Sequence, residues 1–96
     1  MALHCTMTYY GEEQNGGDFP ATWYHYLVIA SPGTKAGSGL ASIITLSQAK
    51  GKDIAQGPSH IIMANEGGPE AALAQAEKFL DGQHRGLKKI LSSRGK

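Results

Sequence analysis

Cys5 and His25 are the two residues of this chain best suited to nucleophilic chemistry. A Cys–His pair works when the imidazole draws the thiol toward its thiolate and a substrate can reach the sulfur. Both residues lie in stretches that alternate like β-strands, among Leu3, Met7, Leu27 and Ile29 at even spacings. In such surroundings a free cysteine is typically a small packed hydrophobe. A small enzyme with a Cys5–His25 pair is therefore the weakest functional reading, and no catalytic residue is assigned.

Other chemistry is poorly supported. His4, Cys5, His25, His60 and His84 include no pair at a CxxC or HxxxH spacing, and His4 and Cys5 are neighbours that a strand sends to opposite faces. No metal site and no cofactor is expected. The segment 33–39, Gly-Thr-Lys-Ala-Gly-Ser-Gly, has the composition of a phosphate loop but the wrong order. Lys35 precedes its glycines, and a strand pattern follows where a phosphate loop opens a helix. It reads as a hairpin connection. Gly67-Gly68-Pro69-Glu70 does open a helix, but Pro69 removes a donor and Glu66 and Glu70 repel anions, so it reads as an ordinary helix entry. Glu12, Glu13 and Asp18 share one polar loop, with no apolar pocket nearby to shift a carboxylate toward acid–base work.

Charge is unevenly distributed within a net +1. Arg85, Lys88, Lys89 and Arg94 gather in the last segment without a carboxylate among them, and these four are the candidate nucleic-acid contacts. The isoelectric point of about 7.9 falls short of the basic footprint of nucleic-acid-binding domains, so nucleic acid is the second reading.

The elements that must position these residues follow from periodicity. Residues 2–10 alternate Leu3, Cys5, Met7 and Tyr9 against His4, Thr6, Thr8 and Tyr10, a half-buried strand. An Asn-Gly-Gly turn signal at 15–17 lies ahead of a second strand at about 22–30, rich in aromatic and β-branched residues. A third strand is expected over about 40–48, a turn at 50–53, and a short fourth strand over about 59–64. Ala72, Leu73, Ala76, Phe79 and Leu80 then form one stripe at helical spacing. Asp81-Gly82 is a stop signal that favours a break, and Leu87, Ile90 and Leu91 suggest a second short helix over about 86–92 or, in the same phase, a continuation of the first.

Together these give one α+β domain over residues 1–96: two layers, an antiparallel three- or four-stranded meander and a C-terminal helix packed on one face, with a mobile basic tail at about 92–96. One cysteine excludes an intrachain disulfide. The start of the chain lacks the pattern of a secretory signal and no apolar run reaches membrane-spanning length, so a cytoplasmic location and no membrane contact are expected.

Strand two is apolar on both sides, while one helix covers one side of a sheet. A hairpin centred near Gly16 would set Met7 opposite His25 and Thr6 opposite Tyr26. That register puts Trp23, His25, Leu27 and Ile29 in the core and leaves Thr6, Thr8, Tyr10, Tyr24, Tyr26 and Val28 as an outward, Tyr-rich face. A slip of one residue would reverse the assignment. The leading expectation is a non-enzymatic interaction domain that uses this face to bind a second copy or another protein.

Overall fold

The computed structural model describes residues 3–11, 22–50, 53–55 and 59–91. The 15–17 turn, the acidic loop residues and the basic tail, including Arg94, lie outside them. The order of elements is β1 (Leu3–Gly11), β2 (Thr22–Pro32), β3 (Gly39–Lys50), β4 (Asp53–Ala55), β5 (His60–Ala64), α1 (Gly68–Gln83) and β6 (Lys88–Leu91). The strands form one antiparallel sheet in the order β4-β3-β2-β1-β6, with β5 pairing the first part of β3. Among the described residues a single helix, α1, lies on one side. This is the expected two-layer α+β arrangement, with a wider sheet. No helix among the described residues is long and apolar enough to cross a membrane.

Two elements differ from expectation. The segment after the helix is a strand, not a second helix: Lys88–Leu91 pairs with β1, with Met7 opposite Leu91 and Tyr10 opposite Lys88. Its two apolar residues, Ile90 and Leu91, are adjacent, so four residues carry no usable period, and the edge of β1 supplies hydrogen bonds that an isolated turn of helix lacks. β4 occupies the end of the expected turn at 50–53, because β3 runs on to Lys50 and folds back against Asp53.

The register of β1 and β2 also differs, by one residue. Met7 stands opposite Tyr26 and Thr6 opposite Leu27. Side chains alternate along a strand, so the slip exchanges the two faces of β2 relative to β1. Tyr24, Tyr26, Val28 and Ala30 join Leu3, Cys5, Met7 and Tyr9 on the helix side; Trp23, His25, Leu27 and Ile29 join Thr6, Thr8 and Tyr10 on the other. Burial agrees: Cys5, Met7, Tyr9, Tyr26, Val28 and Ala30 are buried, whereas Ile29 is exposed.

Packing explains the preference. α1 offers Ala72, Leu73, Ala76 and Leu80 to the sheet. Beneath them, Val28, Ala30, Ala41 and Ile43 are small or β-branched and fully buried, so the helix approaches closely. A Trp in this layer would hold the helix away. The helix is pinned at its start by the Gly68 N–H donating to the Gly37 carbonyl at the tip of the β2–β3 hairpin, 2.9 Å apart. Gly67 and Gly68 both take positive φ at this turn, which glycine reaches without steric cost. Gly39 lies directly under Gly68, where a side chain would overlap the Gly68 carbonyl.

Candidate functional site: the open face of the sheet

The face away from α1 can be followed in rows across the strands. At the β6 end, Lys88, Tyr10 and Trp23 are successive partners. The next row is Ile90, Thr8, His25 and Ser47, with Thr8 Oγ1 and His25 Nδ1 2.7 Å apart. Then come Thr6, Leu27 and Ile44, followed by His4, Ile29, Ser42 and Ile61. The last row pairs Leu40 with Met63. None of these side chains is buried. Ile61, Met63 and Ile90 are 65, 69 and 56 % exposed.

The face therefore has two halves. The half nearer β6 is mainly polar and aromatic, with Tyr10, Trp23, His25 and Lys88 beside the exposed Ile90. The half nearer β5 is aliphatic, with Leu27, Ile29, Leu40, Ile44, Ile61 and Met63. A β-bulge opposite His25 and Tyr26 leaves Leu46 without a partner across the ladder and exposed. Beyond the aliphatic half, the hairpin tip and Asn65 bound a cleft of about 480 Å³ that Leu40, Met63 and Pro32 line and Lys35 borders. The tip is held by Gly33 N–H donating to the Ser38 carbonyl and by the Ser38 amide and hydroxyl donating to the Lys35 carbonyl. The segment that resembles a phosphate loop is thus the hairpin connection.

The Tyr-rich half of the expected contact surface has another role. Tyr26 and Val28 are buried under α1, and Tyr24 packs against the same core. Tyr24 stacks on the His84 ring at 4.3 Å between centroids. The Tyr26 hydroxyl and His84 Nε2 are 2.6 Å apart. Tyr9 donates to Asp81 Oδ1 at 2.6 Å. Lys89, on β6, pairs with Glu77 and, at 3.0 Å, with Asp81. These contacts fasten the C-terminal end of α1 to β1, β2 and β6.

Burial sets the protonation states of this cluster. It pushes the His84 imidazole below its ordinary value, which favours a neutral ring sharing a hydrogen bond between Nε2 and the Tyr26 hydroxyl. Burial raises Tyr26, with a smaller contribution from Tyr24. Tyr9 is raised by burial and then by its bond to Asp81. Burial alone would raise Asp81, but the hydrogen bonds from Tyr9 and Lys89 outweigh it and hold the carboxylate below its usual range. Burial alone would lower Lys89, and its carboxylate partners outweigh that. The phenols are kept protonated and the imidazole neutral. They form a set of fixed donors and acceptors that holds the helix in place.

The remaining candidates are dispersed. Cys5 is opposite Val28 on the helix side and His25 is on the open side, so the sheet separates the Cys–His pair. Cys5 is 1 % exposed, at the floor of a groove lined by Leu73, Ala74, Leu91, Glu70 and Glu77. Among the described residues no group of three or more His, Cys, Asp or Glu could hold a metal ion. Of the basic candidates, Lys89 is engaged with the helix carboxylates, Lys88 faces the open side, and Arg85 lies exposed in the turn after α1. Sequence reasoning missed Asp81 and His84, whose roles depend on contacts 72 and 58 residues apart in the chain, respectively. It also missed Leu40, Ile61 and Met63, whose strands had no assigned facing.

No family model, curated protein or solved structure matches this chain.

Proposed function

We propose that the chain is a non-enzymatic protein-interaction domain whose contact surface is the open face of its sheet. One observation carries this reading: Leu27 pairs with Ile44 and Leu40 with Met63, Ile29 and Ile61 flank Ser42 in the row between, and none of these six aliphatic side chains is buried. Contiguous apolar patches of this kind on small domains mark interaction sites. Tyr10 and Trp23 at the other end are residue types enriched in interfaces, where they combine apolar area with a polar group. The cleft beside Leu40 and Met63 offers a recess for a protruding side chain of the partner.

Nucleic acid has weaker support. Lys89 is held by Glu77 and Asp81, which leaves Arg85 and Lys88 as the described basic candidates, on different parts of the surface. Phosphate binding gains affinity from several cations acting together.

A benzophenone amino acid at position 61, compared with one at Gln75 on the outer side of α1, tests the reading in cells expressing the protein. A discrete protein adduct is expected from position 61 and none from position 75. No adduct at 61, or equal adducts at both positions, would contradict it.

A further inference from the structure

We infer that the partner covering the open face is a second copy of this chain, packed sheet against sheet about a two-fold axis. This rests on the reading of that face as a protein contact surface.

The first argument is area. Five strand positions at roughly 4.8 Å and about nine residues at roughly 3.3 Å give a face of about 24 by 30 Å, or ~700 Å². A stable complex of standard size buries about 800 Å² on each partner. α1, with its 16 residues, is about 24 Å long and roughly 10 Å wide, and it covers the opposite side. An identical open sheet matches this face in width and length. Two sheets packed face to face interdigitate across about 10 Å, which would add a layer on the side of the sheet that α1 leaves open.

The second argument is charge. The described rows of the open face contain no carboxylate and one permanent cation, Lys88, at a corner. The carboxylates of α1 and its entry, Glu66, Glu70, Glu77 and Asp81, belong to the helix layer and the loop before it. A strongly charged partner would find almost nothing to pair with. A second copy meets no like-charge penalty, because the axis can pass through the aliphatic half and keep both Lys88 residues at the rim.

The third argument is the division into halves. In an isologous interface each residue meets its counterpart's neighbours, so a patch must complement itself. Leu27, Ile29, Ile44, Ile61 and Met63 meet this requirement chemically, since aliphatic side chains bring no charge or hydrogen-bonding group that a second copy would leave unpaired. The Tyr10, Trp23 and His25 half then forms the wetter margins, where hydroxyl, indole and imidazole groups retain water.

Sedimentation velocity of the full chain, from low micromolar to about 100 µM, tests this, because a dimer of micromolar affinity is populated across that range. The expected species has about twice the 10.2 kDa mass of the chain. Ile61→Glu/Met63→Glu is expected to weaken association at least 10-fold while keeping the native helical circular dichroism, since both side chains are exposed on the short β5. Ile29→Lys, on a central strand, serves as a second variant if β5 loses its pairing. A chain that remains monomeric up to 100 µM would overturn the second copy as partner, and a position-61 adduct with another protein would still stand. A dimer that persists in both variants would remove this face from the contact.

Discussion

Met7 stands directly opposite Tyr26 across the β1–β2 ladder. This one pairing decides which side of β2 meets the helix and which side meets a partner. It seats Tyr26 under α1, 2.6 Å from His84, and turns Leu27 outward opposite Ile44 and Ile29 outward into the row of Ser42 and Ile61.

Charge placed at adjacent positions of β2 should have opposite consequences. Val28 is fully buried against the core, whereas Ile29 is exposed. Val28→Glu is expected to cost about 3–5 kcal/mol by burying an unpaired carboxylate, enough to unfold a marginal domain. Ile29→Glu is expected to change monomer stability by less than about 1 kcal/mol. Urea unfolding of the two variants checks this directly. Equal losses would mean that the faces are not distinguished.

Gly39 permits the contact between the hairpin and the start of α1. A methyl group there would meet the Gly68 carbonyl and the Pro69 nitrogen, which are backbone atoms with little freedom to move. Gly39→Ala is expected to destabilise the domain by about 1–3 kcal/mol through overpacking. The midpoint of thermal unfolding should fall accordingly, while Gly82→Ala, at a helical position with open space around it, should raise it slightly.

His84 makes stability depend on pH. Its folded value lies below that of the unfolded chain because burial disfavours the cation. The folded state therefore binds fewer protons, and the contribution is complete above the ordinary value near 6.5 and is lost progressively as pH falls below it. Asp81 is also lowered, but its contribution fades only below the ordinary carboxylate range. Denaturant midpoints between pH 7.5 and about 5 should decline with the wild type and much less with His84→Gln. A flat wild-type profile would place His84 outside the core cluster.

The two polar ties at the end of α1 should differ in strength. Tyr9→Phe removes a buried hydroxyl that donates to a carboxylate and is expected to cost about 1–3 kcal/mol. Lys89→Ala breaks ion pairs whose carboxylate partners are partly exposed, and is expected to cost under about 1 kcal/mol. Calorimetry on both variants and on the double variant measures the coupling through Asp81.

The sequence reveals the elements more readily than their facing. The alternation in residues 3–10, the Pro69–Leu80 helical stripe and the glycine-rich hairpin were legible because each is a local pattern. The register was not, since 23–30 is apolar on both sides and either assignment gives a plausible core. The distinguishing feature is size: the close approach of Ala72 and Ala76 needs Val28, Ala30 and Ala41 beneath it, and this emerges only when the helix is laid on the sheet. β6 was illegible for a different reason, because four residues beside an open strand edge carry too little pattern. The notion of an open sheet face as the contact surface survives as a proposal, with Thr6, Thr8 and Tyr10 still on it and Tyr24, Tyr26 and Val28 replaced by the aliphatic rows.

The most direct measurement follows side-chain methyl signals in the presence of a soluble paramagnetic agent as protein concentration rises. Ile61 and Met63 methyls should be strongly broadened in dilute protein and become protected as dimers form, with Ala74 accessible and Val28 protected throughout. Broadening of Ile61 and Met63 that is unchanged by concentration, or broadening of Val28 alongside them, would contradict the account.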